Sequence, residues 1–208
     1  HKLIFIIFIF FVTAQCSKED LSYQPQDKID AYQSYKEALE SCENFDFFYA
    51  SKKFAEAEIN FDSVEYAAKS SIMSSYCLYG INFYDEALKN LDRYLKKYPA
   101  DVNIIYAHYL IAMIHYEQIS DEKKDLQPLL DAEKKINYFL KFYPESDYAL
   151  DLKFKKDLIQ NQLAAKELYV ARFYISVQKW VPALNRLKVV VNDYDKTIFI
   201  EEALHRLV

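Results

Sequence analysis

Apolar and polar positions follow a helical period along most of this chain, and one pattern returns four times. The segments FFYASKKFAEAEINFD (47–62), YDEALKNLDRYLKKYP (84–99), LLDAEKKINYFLKFYP (129–144) and WVPALNRLKVVVNDYD (180–195) align without gaps. Each opens on a large apolar residue (Phe47, Tyr84, Leu129, Trp180) and carries alanine three positions later (Ala50, Ala87, Ala132, Ala183). An apolar residue follows at offset 7 (Phe54, Leu91, Ile136, Leu187) and an aromatic at offset 14 (Phe61, Tyr98, Tyr143, Tyr194). Offsets of 0, 3, 7 and 14 share one face of a 3.6-residue helix. The alanine admits a neighbouring helix closely, and the aromatic closes the far end. Pro99 and Pro144 stop two of these helices.

Further periodic runs lie between the four, at 29–42, 64–79, 104–119 and 148–177, and a partial one closes the chain at 197–208. The stretch from Asp147 to Gln178 holds neither Gly nor Pro and predicts one long helix. Helices therefore come in pairs, an A helix followed by one of the four aligned B helices. The aromatic-x-x-Ala opening of the second helix resembles the tetratricopeptide repeat. The prediction is an all-α, tetratricopeptide-like helical-repeat solenoid of four to five helix pairs over 29–208, stopping in mid-pattern at Val208. Extra length over the usual repeat sits in the polar loop SDEKKDLQP (120–128) and in the long helix. Gly80, between two runs, is read as the end of a helix.

Composition sharpens this picture at one point. The 208 residues include a single glycine, so glycine-rich phosphate loops, dinucleotide turns and hairpin-rich β folds are excluded. A hydrophobic share of 52% with 19 Tyr and 15 Phe excludes global disorder. The formal charge of −5 argues against nucleic acid as a partner. A search for catalytic chemistry finds none at usable spacing. His108 and His115 share a helix face without a metal-spaced third ligand, no HExxH occurs, and a GxSxG elbow cannot be built. No enzyme, metal or cofactor is expected.

The first 16 residues, HKLIFIIFIFFVTAQC, hold an apolar run from Leu3 to Val12 after a basic residue. Ten apolar residues are too few to span a bilayer and fit the core of an export signal. The run ends in Thr13-Ala14-Gln15-Cys16, which resembles a bacterial lipoprotein signal despite Gln15 in place of a small residue. That resemblance implies a signal peptide over 1–15, a lipidated Cys16, and a flexible anchored linker over 16–28; an ordinary signal peptide or a plain N-terminal anchor with an incidental Cys16 is the alternative. The same resemblance associates Ser17, in place of Asp after the cysteine, with sorting to the outer membrane. Cys42 and Cys77 either pair as a disulfide in an exported chain or stay as two small buried residues.

A narrower resemblance rests on several blocks taken in order: 65–101, YAHYLIAMIHYEQISD (106–121), 143–194 with its KELYVARFY and WVPALNRLKVV segments, and EEALHRLV (201–208). From about Glu37 to Val208 the chain resembles the BamD family of outer-membrane lipoproteins. The departures lie in the first repeat, where Phe61 replaces the usual Tyr and Asp62 the proline after it. The resemblance implies a scaffold of the β-barrel assembly machine that binds a periplasmic POTRA domain of BamA, unfolded β-barrel precursors and other assembly lipoproteins. Matching WVPALNRLKVV residue by residue carries the BamA contact to Arg186, beside Asn185. A local ion pair of Arg186 with Asp193 or Glu201 is the alternative. The precursor contacts fall in the N-terminal repeats, where the A-helix tyrosines Tyr32, Tyr35, Tyr66 and Tyr76 are candidates for a substrate groove. Tyr79, Tyr106, Tyr109 and Tyr116 continue the series, and most of these rings are expected in the core. A soluble periplasmic tetratricopeptide adaptor of cell-wall synthesis or division is the alternative function.

Overall fold

The computed structural model describes residues 30–119 and 126–208. The expected signal peptide (1–15), Cys16, the linker (16–28) and most of the polar loop lie outside the described residues. Nine helices and no strand occur among the described residues. They are α1 (Ala31–Glu43), α2 (Phe47–Asn60), α3 (Val64–Gly80), α4 (Tyr84–Lys97), α5 (Ile104–Glu117), α6 (Gln127–Phe142), α7 (Ala149–Ser176), α8 (Trp180–Asp193) and α9 (Ile200–Leu207). Packing runs between chain neighbours from α1 to α9, with α3 also touching α5. This is the quasi-linear arrangement of a helical-repeat solenoid.

The four aligned segments are α2, α4, α6 and α8, and their shared positions do what the spacing predicts. Ala50, Ala87, Ala132 and Ala183 are buried, as are Phe54, Leu91, Ile136 and Leu187. The aromatic at offset 14 is the residue that caps each helix. The backbone N–H groups of Phe61, Tyr98, Tyr143 and Tyr194 donate to the carbonyls of Ala57, Tyr94, Phe139 and Val190. The opening residue is less uniform. Leu129 is fully packed and Phe47 and Tyr84 are half-buried, whereas Trp180 is 57% exposed beside a cleft lined by Ile175, Leu184, His205 and Arg206.

The turns inside three of the helix pairs share one geometry. Phe45, Asn82 and Gln178 each take a left-handed φ of 58–62° two residues before the opening aromatic. Their N–H groups donate to Cys42, Tyr79 and Ile175, and the next residues' N–H groups reach back to Ser41, Leu78 and Tyr174. This double bond pattern is the Schellman motif, whose left-handed position normally favours glycine. Gly80 is therefore not the capping residue. It is the last residue of α3, without positive φ, and a Cβ there would meet the Phe47 ring at an ordinary 3.4 Å.

Burial divides along the solenoid into four clusters. Helix α7 joins two of them. Ala149, Leu152, Ile159 and Leu163 enter the third-pair core, and Ala164, Leu168 and Ala171 enter the last. At 28 residues it spans about 42 Å. The expected long helix is thus present, shorter than 147–178 by two residues at each end. Helix α3 is unusual in another way: its buried face is serine-rich, with Ser70, Ser71, Ser74 and Ser75 all inside. Ser74 Oγ donates to the Ser51 carbonyl of α2 at 2.9 Å, so the small polar face is hydrogen-bonded across the helix contact.

Candidate partner-binding surfaces

Three of the four candidate groove tyrosines gather around Phe61. The side chain of Asp30 starts α1 by accepting from the Tyr32 N–H at 2.9 Å, which places Tyr32 at the mouth of the α1–α2 pair. The Tyr66 ring stacks on Phe61 at 5.3 Å, and Tyr32 meets Phe61 edge-on at 6.0 Å. Tyr35, half-buried, touches Phe54 and Phe61. Asp30, Tyr32, Asn60, Phe61, Ser63 and Tyr66 line an open cleft of about 440 Å³. Tyr76 is elsewhere. It lies ten residues further along α3, about 15 Å away, edge-on to Phe47 at 6.2 Å. The four candidate tyrosines thus fall as a cluster of three, with the fourth near the opposite end of α3. Tyr79, Tyr106, Tyr109 and Tyr116 are half-buried and pack on the core. Tyr109 stacks on Tyr148 at 4.5 Å and donates to Asp151 at 3.0 Å.

Other exposed rings lie in or beside the turns within the helix pairs. Phe45 is 81% exposed, and Phe48 meets Phe83 at 6.1 Å with Lys52 Nζ 4.2 Å above its ring. Phe45 holds the left-handed position of its turn, Phe83 follows that of Asn82, and Phe48 lies in the first turn of α2.

Arg186 lies on α8 next to buried Leu187, at the edge of the apolar stripe. Its guanidinium Nη1 donates to both carboxylate oxygens of Glu167 on α7, at 3.0 and 3.2 Å. The local partner is thus Glu167, and neither Asp193 nor Glu201. The arginine keeps 45% side-chain exposure, and Asn185 beside it is exposed. A second ionic cluster joins α7 to α9, where Glu202 accepts from Arg172 Nε at 2.8 Å and Arg206 Nε at 2.7 Å. The Arg172 hydrogen bonds, then those of Arg206, hold the Glu202 carboxyl down at about 2.

One charged residue inside the fold escaped the sequence reading. Glu58 of α2 is buried and accepts from Arg93 Nη1 and Nη2 at 2.5 and 2.6 Å, Lys97 Nζ at 3.1 Å and Tyr98 Oη at 3.0 Å. Burial pushes its carboxyl up, but the Arg93 guanidinium, then Lys97 and Tyr98, outweigh it and leave it at about 2. A signal was available. Glu58 stands at offset 11 of its segment, where the other three have Leu95, Leu140 and Val191. An acid in an aliphatic column marks a buried pair.

No group of three or more His, Cys, Asp or Glu side chains that could hold a metal occurs among the described residues. His108 packs its ring on Tyr138 and Tyr143 at 5.2 and 5.5 Å, and burial pushes both His108 and His115 below the ordinary histidine range. No described helix is long and apolar enough to cross a membrane.

A tetratricopeptide-like solenoid with surface clefts and ionic seams is the class of protein this geometry defines. The sequence profile of the YfiO outer membrane lipoprotein family matches residues 27–208. The chain belongs to that family. It is similar to several proteins named outer membrane protein assembly factor BamD. The one from Caulobacter vibrioides is 34% identical over 155 residues, covering 74% of this chain and 51% of that protein. The one from Rickettsia prowazekii is 31% identical over 164 residues, covering 76% and 65%. A Neisseria gonorrhoeae protein of the same name is 26% identical over 180 residues, covering 82% and 67%. The chain thus spans about half to two thirds of the length of the first two relatives.

Proposed function

We propose that this chain is a non-enzymatic scaffold in the assembly of outer-membrane β-barrel proteins. The observation that carries the reading is the match of the outer membrane lipoprotein profile across 27–208, with the described residues folded as stacked helix pairs. In this reading Cys16 is lipidated and holds the solenoid at the periplasmic face of the outer membrane. The α8 surface around Arg186 and Asn185 docks on a POTRA domain of BamA, and other assembly lipoproteins join the complex. The cleft walled by Tyr32, Phe61 and Tyr66, with Tyr35 packed behind Phe61, receives unfolded β-barrel precursors, its rings offering rigid apolar surface with polar tips.

The Arg186–Glu167 pair supplies the decisive experiment. An exposed ion pair contributes little to folding, so Arg186→Glu is expected to lower the melting temperature only slightly while strongly weakening capture of BamA POTRA domains. Glu167→Gln removes the same internal pair and leaves the guanidinium free, so BamA binding should persist. Equal loss of binding in both variants would make Arg186 a structural partner of Glu167 and refute the interface. Mass spectrometry of the mature N-terminus checks the anchor, with an acylated Cys16 as the expected result.

A further inference from the structure

Cys42 on α1 and Cys77 on α3 are both thiols, with their sulfurs 3.0 Å apart. The two helices are not chain neighbours; each packs chiefly on α2, which lies between them in sequence. The thiols share one core cluster with Ala38, Ala50 and Phe54, and Phe47 and Met73 close around it. Cys77 is fully buried, whereas Cys42 is half-buried at the cluster's edge. Closing the sulfur separation to a covalent bond takes a movement of about 1 Å. One buried and one half-buried thiol thus meet sulfur to sulfur in the cluster that joins α1, α2 and α3.

We propose that Cys42 and Cys77 form an intramolecular disulfide that staples the first repeat to the second, with a small-molecule or protein disulfide as oxidant. Access orders the chemistry. Cys42, the more open thiol, loses its proton and attacks the incoming disulfide, expelling one thiolate and forming a mixed disulfide. Cys77 then gives up its proton and attacks Cys42 Sγ, expelling the second thiolate. Two protein thiols are oxidised and one external disulfide is reduced to two thiols, so atoms and electrons balance. Burial pushes the Cys77 thiol well above the ordinary range, which makes the second step the slow one. The staple closes a loop of 35 residues and removes freedom from the unfolded N-terminal repeats. It also fixes α1, and with it Tyr32 and Tyr35, against α3, which carries Tyr66. The oxidised state in the cell rests on the exported location proposed above; the pairing itself does not.

The test has two arms. In the first, the purified full chain is incubated with oxidised glutathione, free thiols are alkylated, and the protein is cut after lysine. The expected product is peptide 37–52 linked to peptide 70–89, with the N-terminal unfolding transition raised by about 5–10 °C and the gain erased by reductant. Cys77→Ala should instead hold glutathione on Cys42 as a stable mixed disulfide. Recovery of both wild-type peptides alkylated, or of glutathione on wild-type Cys42 without the cross-link, overturns the proposal. In the second arm, thiols are trapped by acid in intact Gram-negative cells exporting the chain. A cross-link that forms with glutathione but is absent from trapped cells overturns the exported location and leaves the pair standing.

Discussion

Replacing Glu58 with glutamine tests whether the acid in the aliphatic column is an ionic lock. The carboxyl sits at about 2 in the fold against 4.5 in a free chain, a gap worth about 3.4 kcal/mol if the full difference is expressed as stability. Its partners Arg93 and Lys97 keep roughly half of their side chains in water, so screening trims the expected contribution to about 2 kcal/mol. Because the folded value is depressed, this stability is complete above the free-chain value and is lost as pH falls toward the folded one. More than half should be gone by about pH 3, where the unfolded chain already carries the proton. Urea unfolding followed by circular dichroism, at neutral pH and near pH 3, gives the difference between wild type and Glu58→Gln at each pH. The variant should be less stable by about 2 kcal/mol at neutral pH and by under about 1 kcal/mol in acid. Other carboxylates titrate in both proteins and cancel in this comparison. A gap of equal size at both pH values would refute the ionic account and leave shape as what glutamine disturbs.

Other expectations follow from the repeat positions. Ala87→Leu and Ala183→Leu should each cost about 1–3 kcal/mol, since both alanines are buried at helix contacts; neutral urea midpoints at both would contradict the alignment of the four segments. Gln178→Gly should raise stability by about 0.5–1 kcal/mol by relieving a left-handed φ at an exposed turn, and a fall in midpoint would refute that strain. Phe45→Gly should gain less, because the same change discards the ring contact with Phe47; equal gains would mean that contact contributes nothing.

The helices were legible because their signal is a periodic column repeated in register. Alanine at offset 3 and the aromatic at offset 14 each announce a buried contact and a helix end, and both fell where expected. The turns were not legible from the rule that glycine ends helices. This chain places Phe45, Asn82 and Gln178 at the left-handed positions and its one glycine elsewhere. Tyrosine was the hardest residue to place. Tyr66 and Tyr76 lie on the same helix and look alike in sequence, but a ten-residue separation carries them to opposite ends of it. Arg186 was placed correctly at the rim of its stripe. Its partner was missed because Glu167 is 19 residues away on a different helix, beyond what local spacing can reveal.

The position of α7 ties these surfaces together. A chain of separate helix pairs bends at every inter-repeat contact, since each unit touches only its neighbours. Here one uninterrupted helix of about 42 Å serves two successive cores, and its backbone hydrogen bonds resist the bending that a loop would allow. Leu152 and Ile159 lock its first half against α6, while Leu168 and Ala171 lock its second half against α8 and α9. Tyr194 packs against both clusters and closes the joint from the α8 side. Glu167, which grips Arg186, and Arg172, which grips Glu202, both project from that same second half. The orientation of the α8 surface is therefore set by the helix that also builds the third-pair core. Under the docking proposed above, a partner at Arg186 would be held at a fixed angle to the third helix pair, and a break introduced in α7 would release that angle.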